Sequence, residues 1–120
     1  MAYDDMKFMV YRILKYLDEC LKAGKTPTKE DLLRDCQLYK LPERYADSLL
    51  EEVSDNGYVR GISKLSTKDE DLVIVQDNVR ITLAGRKYLV ENSRMQEAKN
   101  MLGRAFEIAI ETAVKALLPG

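Results

Sequence analysis

The chain has no histidine, only two cysteines, and no apolar run of the roughly 20 residues that a membrane-spanning helix needs. Each absence excludes something. Without histidine there is no side chain whose ordinary pKa suits acid–base work near neutral pH. Cys20 and Cys36 cannot complete a four-ligand zinc sphere by themselves, and both fall inside helical patterns, where buried reduced thiols are expected. No metal and no cofactor are therefore expected. The sequence also lacks a P-loop, a dinucleotide fingerprint and a Gly-x-Ser-x-Gly elbow. Its paired acids, Asp18-Glu19, Glu51-Glu52 and Asp69-Glu70-Asp71, are sequence neighbours rather than carboxylates converging on a cleft, so solvated surface is expected there. No enzyme is anticipated. The opening MAYDDMKFMVY holds two acids and no basic stretch before an apolar run, which argues against a secretory signal. A cytoplasmic location without membrane partners follows as the expectation.

What is present suits one globular domain: 120 residues, 46% hydrophobic and 32% charged. A chain of this size can bury a core without disulfides or metals. The net charge is −1 and the pI about 5.6. A dedicated nucleic-acid binder more often has a basic domain, although net charge does not report how charge is distributed.

Hydrophobic spacing divides the chain into elements. Met6, Met9, Val10, Ile13, Leu14, Leu17 and Leu21 recur at three- and four-residue intervals and predict a first helix. Asp4 and Asp5 suit its positive end, and Gly24 suits its stop. Thr28, with Asp31 three residues on, predicts the cap of a short second helix near Lys29–Gln37, with Leu32, Leu33 and Cys36 facing inward. Pro42 fits the first position of a third helix, whose inner stripe is Tyr45, Ala46, Leu49, Leu50 and Val53 and which ends at Asn56-Gly57. Two strand-like runs, Tyr58–Leu65 and Asp71–Gln76, flank polar STKDED and predict a hairpin. Val79–Ile81 either extends the second strand or leads into the next helix. Thr82 caps a fourth helix with Leu83, Tyr88 and Leu89 inward. Gly85 inside its first turn predicts the close approach of another backbone. A last helix covers about Met95–Leu118, and Pro119-Gly120 ends the chain.

Three helices, a hairpin and two more helices give a mostly helical α+β fold: a winged helix-turn-helix with additional C-terminal helices. Residues 1–93 form the winged-helix domain. Residues 94–120 form a C-terminal helix, either within the same domain or as a dimerisation element. Gly57-Tyr58 opening the hairpin, then Ile81-Thr82-x-x-Gly85-x-x-Tyr88-Leu89 followed by Glu91-Asn92-Ser93, resemble the YjcQ-like family of small bacterial and prophage winged-helix proteins. The resemblance covers most of the chain. It implies a winged-helix fold and brings no catalytic residues with it.

Two binding functions follow. The first is a DNA-binding, regulator-like protein of prophage type. A recognition helix enters the major groove in such folds, with Arg44 available to a guanine and Ser48 to a phosphate. Arg60, Lys64, Lys68 and Arg80 on the hairpin would meet phosphates. Arg60 and Lys64 differ by an even number, which predicts one shared face. Glu43, Asp47, Glu51 and Glu52 crowd the outer side of the third helix, and carboxylates against a phosphate wall are costly. The second function is therefore a protein-interaction module on the same scaffold, recognising a basic partner through Glu43, Asp47, Glu51 and Glu52. Base rate favours the first reading. The acidic helix and low pI favour the second. In the last helix, Leu102, Ala105, Phe106, Ala109, Ala113 and Leu117 belong to an apolar surface wider than one stripe. They predict a homodimer interface; the alternative is a helix that wraps back over its own core.

Overall fold

The computed structural model describes residues 2–118, with side chains from residue 6 onward. The expected charges at Asp4 and Asp5 and the Pro119-Gly120 end fall outside the described side chains and residues. Five α-helices and one two-stranded antiparallel sheet make up the described residues, a mostly helical α+β arrangement. Helix α1, Ala2–Ala23, runs through the centre and supplies Tyr11, Ile13, Leu14, Tyr16, Leu17 and Cys20 to the core. Gly24 at φ 70° stops it.

Helix α2, Lys29–Asp35, begins with a complete capping box: Asp31 N donates to Thr28 Oγ1 at 3.1 Å, and Thr28 N donates to Asp31 Oδ2 at 2.9 Å. The aspartate thus does what glutamate more often does at that position. A 3₁₀ turn, Leu38–Lys40, leads to Pro42, which stands at the N-cap position of helix α3, Glu43–Asp55, one place before the first helical position expected of it and without a side-chain cap bond. Helix α3 buries Ala46, Leu49, Leu50 and Val53 and ends at Gly57, φ 78°.

Strand β1, Val59–Ser66, pairs with strand β2, Asp71–Ile81. Residues Val79–Ile81 belong to β2. The ladder runs Ser66↔Asp71 to Ile62↔Val75, then jumps to Arg60↔Arg80 and Val59↔Ile81, with an irregularity at Gly61. Gly61 has φ 91°, and a Cβ there would stand 2.6 Å from Val79 Cα. Only glycine lets the two backbones close around the bulge. The bulge changes the phase of β1. Val59 and Ile81 form one buried pair. Ile62, three residues further on, faces inward with Val75, and Lys64 shares that side with buried Val73.

Helix α4, Leu83–Glu91, and helix α5, Ser93–Lys115, are separated by Asn92, whose side chain caps α5. Helix α5 is broken at Gly103, φ 77° and ψ −176°. The break lets its second part lie along α1: Phe106 packs on Tyr11 with ring centroids 5.9 Å apart, and Lys25 Nζ donates to the carbonyls of Val114 and Lys115 at 3.1 and 2.8 Å. Among the described residues, no helix is long and apolar enough to cross a membrane.

Three expectations are corrected. Leu83 is 85% exposed rather than inward, because the first turn of α4 overhangs a cleft. Met6 and Leu21, at the two ends of the α1 stripe, are also exposed. Asp18 is not solvated surface: it is 4% exposed, with Arg86 Nη2 2.7 Å from Oδ1 and Lys22 Nζ 3.2 Å from Oδ2. A buried carboxylate requires such partners, and the one that matters most is 68 residues away.

Candidate functional site

The residues that carry the family motif meet at the junction of β1, β2 and α4. Thr82 N donates to Tyr58 O at 2.9 Å, and Thr82 Oγ1 donates to Gly57 O at 2.6 Å. The same oxygen accepts Gly85 N at 3.0 Å, capping α4. Gly85 lies directly against the Tyr58 carbonyl, where a Cβ would overlap that oxygen. Tyr88, one turn on, stacks on Tyr58 at 4.4 Å, and Leu89 is buried. The motif is a clasp that ties the base of the hairpin to α4. Its groups are occupied with one another, so it serves the fold.

Functional surfaces must therefore lie elsewhere, and charge separates two of them. The outer side of α3 and the hairpin turn enclose a groove of about 520 Å³ lined by Glu43, Arg44, Asp47, Ser48, Glu51, Asp69, Glu70 and Asp71. Six carboxylates face one guanidinium. The turn is shaped by its own bonds: Thr67 N and Oγ1 donate to Glu70 O at 2.8 and 2.7 Å, and Glu70 N donates to Thr67 Oγ1 at 3.1 Å. Lys29 stitches the helices to the hairpin, 3.4 Å from Asp47 and donating to Val73 O at 2.8 Å. Lys64 lies 3.2 Å from Glu51 and 3.4 Å from Asp55, and hydrogen bonding to Glu51 raises its pKa. Glu43, Asp69, Glu70 and Asp71 have no ion pair among the described residues.

The five bases expected to share a phosphate surface do not converge. Arg44 lines the acidic groove, Lys68 sits in the turn beside Asp69 and Glu70, and Lys64 is held by α3. Even spacing placed Arg60 and Lys64 on one face; the bulge at Gly61 puts them on opposite faces. Arg60 and Arg80 do come together, directly opposite in the ladder, and line a cleft of about 690 Å³ with Arg86, Leu21, Leu83 and the start of α4. Sequence reasoning missed Arg86 and the contribution of the turn acids to the groove, because neither the register nor the bulge can be read from spacing.

The residues assigned to a dimer face, five on α5 and Leu117 just beyond its end, divide. Leu102, Phe106 and Ala113 pack against the core and Leu117 is buried, while Ala105 and Ala109 remain outside with Met101 and Ile108. Glu52 is exposed but does not line the acidic groove. Cys20 and Cys36 are buried free thiols; burial, then the charge of Asp35, pushes Cys20 up to about 12 and raises Cys36 well above its usual range. Among the described residues no cluster of potential ligands could hold a metal ion.

A family model described as YjcQ protein matches residues 11–105. No curated protein and no solved structure matches the chain.

Proposed function

We propose that this chain, which belongs to the YjcQ family, is a non-enzymatic binding module on a winged-helix scaffold, and that it recognises a Lys/Arg-rich segment of a partner protein. The single observation behind this reading is the groove between α3 and the hairpin turn. In a winged helix those are the two elements that approach DNA. Here they bring Glu43, Asp47, Glu51, Asp69, Glu70 and Asp71 together with Arg44 as the one base in the lining. Lys29 and Lys64 offset Asp47 and Glu51, and Glu43, Asp69, Glu70 and Asp71 have no ion pair among the described residues. Phosphates driven into that groove would meet like charge at short range. A cationic segment would find complementary charge along the groove, which gives register and on-rate as well as affinity.

The test uses fluorescein-labelled peptides of alternating basic and small residues, with acidic and scrambled-charge peptides as controls. Glu43→Lys with Glu70→Lys removes two carboxylates that have no internal partner, so the fold is spared. Binding of the basic peptide should be salt-sensitive and fall at least about tenfold in this double variant, roughly one exposed charge pair per substitution. Equal affinity of wild type and variant for the basic peptide would sink the reading.

A second reading, a DNA-binding regulator, keeps one specific support: the Arg60–Arg80 pair, which lies away from α3. On this reading the hairpin base, and not the third helix, meets the nucleic acid.

A further inference from the structure

Arginines placed directly opposite each other in a two-stranded ladder repel, with Cβ atoms about 5 Å apart, and such pairs destabilise a hairpin. Arg60 and Arg80 are in that position, both exposed, and neither makes an ion pair among the described residues. Lys15, Lys22, Lys29, Arg34 and Lys64 each sit within 4.0 Å of a carboxylate, whereas others such as Lys40, Lys87 and Lys99 also have no ion pair among the described residues. What distinguishes Arg60 and Arg80 is that they have none while facing each other across the ladder. The hairpin base thus holds two guanidiniums together with nothing to balance them.

Arg86 adds a third cation to the same cleft. Its Nε and Nη2 are both fixed on buried Asp18 Oδ1, at 2.8 and 2.7 Å, while the side chain stays 41% exposed. It is therefore held in one orientation at the cleft wall. The wall continues into Leu83 and Ala84 of the first turn of α4, where backbone N–H groups have no acceptor within their own helix. Exposed Leu21 and Leu83 form an apolar rim.

We propose that this cleft binds a phosphate group, held by Arg60 and Arg80 from the ladder and by Arg86 from α4. Planar guanidinium forks suit an oxyanion with several acceptor oxygens better than point charges do. The two forks of the ladder are uncommitted, and Arg86, whose Nε and Nη2 already serve Asp18, adds its remaining N–H groups from a second direction. The apolar rim fits a phosphate carried on a nucleoside or a nucleic-acid strand as well as a free one. The site is on a different surface from the acidic groove and stands or falls separately from it.

The experiment compares wild type with Arg60→Ser/Arg80→Ser and with Arg60→Lys/Arg80→Lys. Thermal unfolding is followed in chloride, in inorganic phosphate and in pyrophosphate at matched ionic strength. Anisotropy is followed with short labelled single-stranded and duplex DNA at several salt concentrations. A ligand that binds only the folded state raises the midpoint by mass action. A midpoint rise in phosphate or pyrophosphate, absent in the serine variant and reduced in the lysine variant, supports a site for the free anion. Oligonucleotide binding that weakens about tenfold or more in the serine variant, without a response to free phosphate, assigns the phosphate to a strand. In chloride the serine variant should melt no lower than wild type, because repulsion is removed. No binding of any of these ligands, or equal binding by wild type and the serine variant, overturns the proposal.

Discussion

Replacing Gly85 by alanine tests the clasp at the hairpin base. In an exposed helix interior, glycine to alanine gains about 1 kcal/mol. Here the added methyl would overlap the Tyr58 carbonyl oxygen and come within 2.8 Å of Ile81 Cγ1. The contact is with backbone, which cannot swing aside as a flexible side chain would. Overpacking of this kind costs about 1–3 kcal/mol. Relief by moving α4 outward would also lengthen the Thr82 N to Tyr58 O and Thr82 Oγ1 to Gly57 O bonds, at about 1 kcal/mol each. Set against the helical gain, the net is a loss of about 2–4 kcal/mol. For a domain of this size the entropy of unfolding is roughly 250 cal/mol/K, so the midpoint should drop by about 8–16 °C. Circular dichroism melts of wild type and Gly85→Ala decide the matter. A midpoint that stays put or rises by a few degrees would refute the reasoning, since that is how a glycine with open space around it behaves.

Other consequences can be checked with the same preparation. Asp18→Asn leaves Arg86 and Lys22 without their carboxylate and should cost about 3 kcal/mol, the lower part of the range for breaking a buried pair because Arg86 is partly exposed; urea unfolding measures it. The Cys20 thiol has its pKa raised in the fold from an ordinary 9.0 to about 12, so the folded state keeps its proton longer than the unfolded one. Its contribution is complete below about pH 9 and is lost as pH climbs towards 12, at about 1.4 kcal/mol per pH unit. Cys20→Ala should therefore flatten the fall of stability in that window. Native protein at pH 8 should leave both thiols unreactive to an aromatic disulfide until it is unfolded. Gly103→Ala places a Cβ at φ 77°, ψ −176°, a region used almost solely by glycine, and should cost about 1–3 kcal/mol although nothing crowds the position; a thermal melt reads it directly.

Much of the fold was legible because its signals are local. Thr28 with Asp31, Gly24, Asn56-Gly57 and Thr82 each mark a helix end through the chemistry of their own backbone, and each mark lies where the structure puts it. Gly85 was legible for a similar reason: a glycine in the first turn of a helix needs a neighbour that excludes a side chain, and Tyr58 is that neighbour. The surfaces were less legible, because they depend on register. Counting by twos along β1 fails at Gly61, where one residue of β1 spans a longer stretch of β2. From that point Lys64 belongs with Val73 and α3, and Arg60 belongs with Arg80. Asp18 defeated the reading of acidic pairs because its partner comes from α4, and no spacing rule links positions so far apart. Gly103 was hidden by the apolar pattern around it, which continues through the break and looks like one helix.

The break at Gly103 has a kinetic consequence. Helix growth is cooperative only through residues that hold helical angles, and φ 77° interrupts it. Arg104–Lys115 must then form as its own segment, at a length where an isolated helix in water is marginal. What holds it is docking: Phe106 on Tyr11, the buried Ile110 and Val114, and the Lys25 ammonium on the last carbonyls, 89 and 90 residues away along the chain. Amide exchange in this segment therefore reports on its attachment to α1 and not on helicity. It should open as a unit, at a free energy below that of the central helix, and shortening Phe106 should speed exchange across the whole segment together.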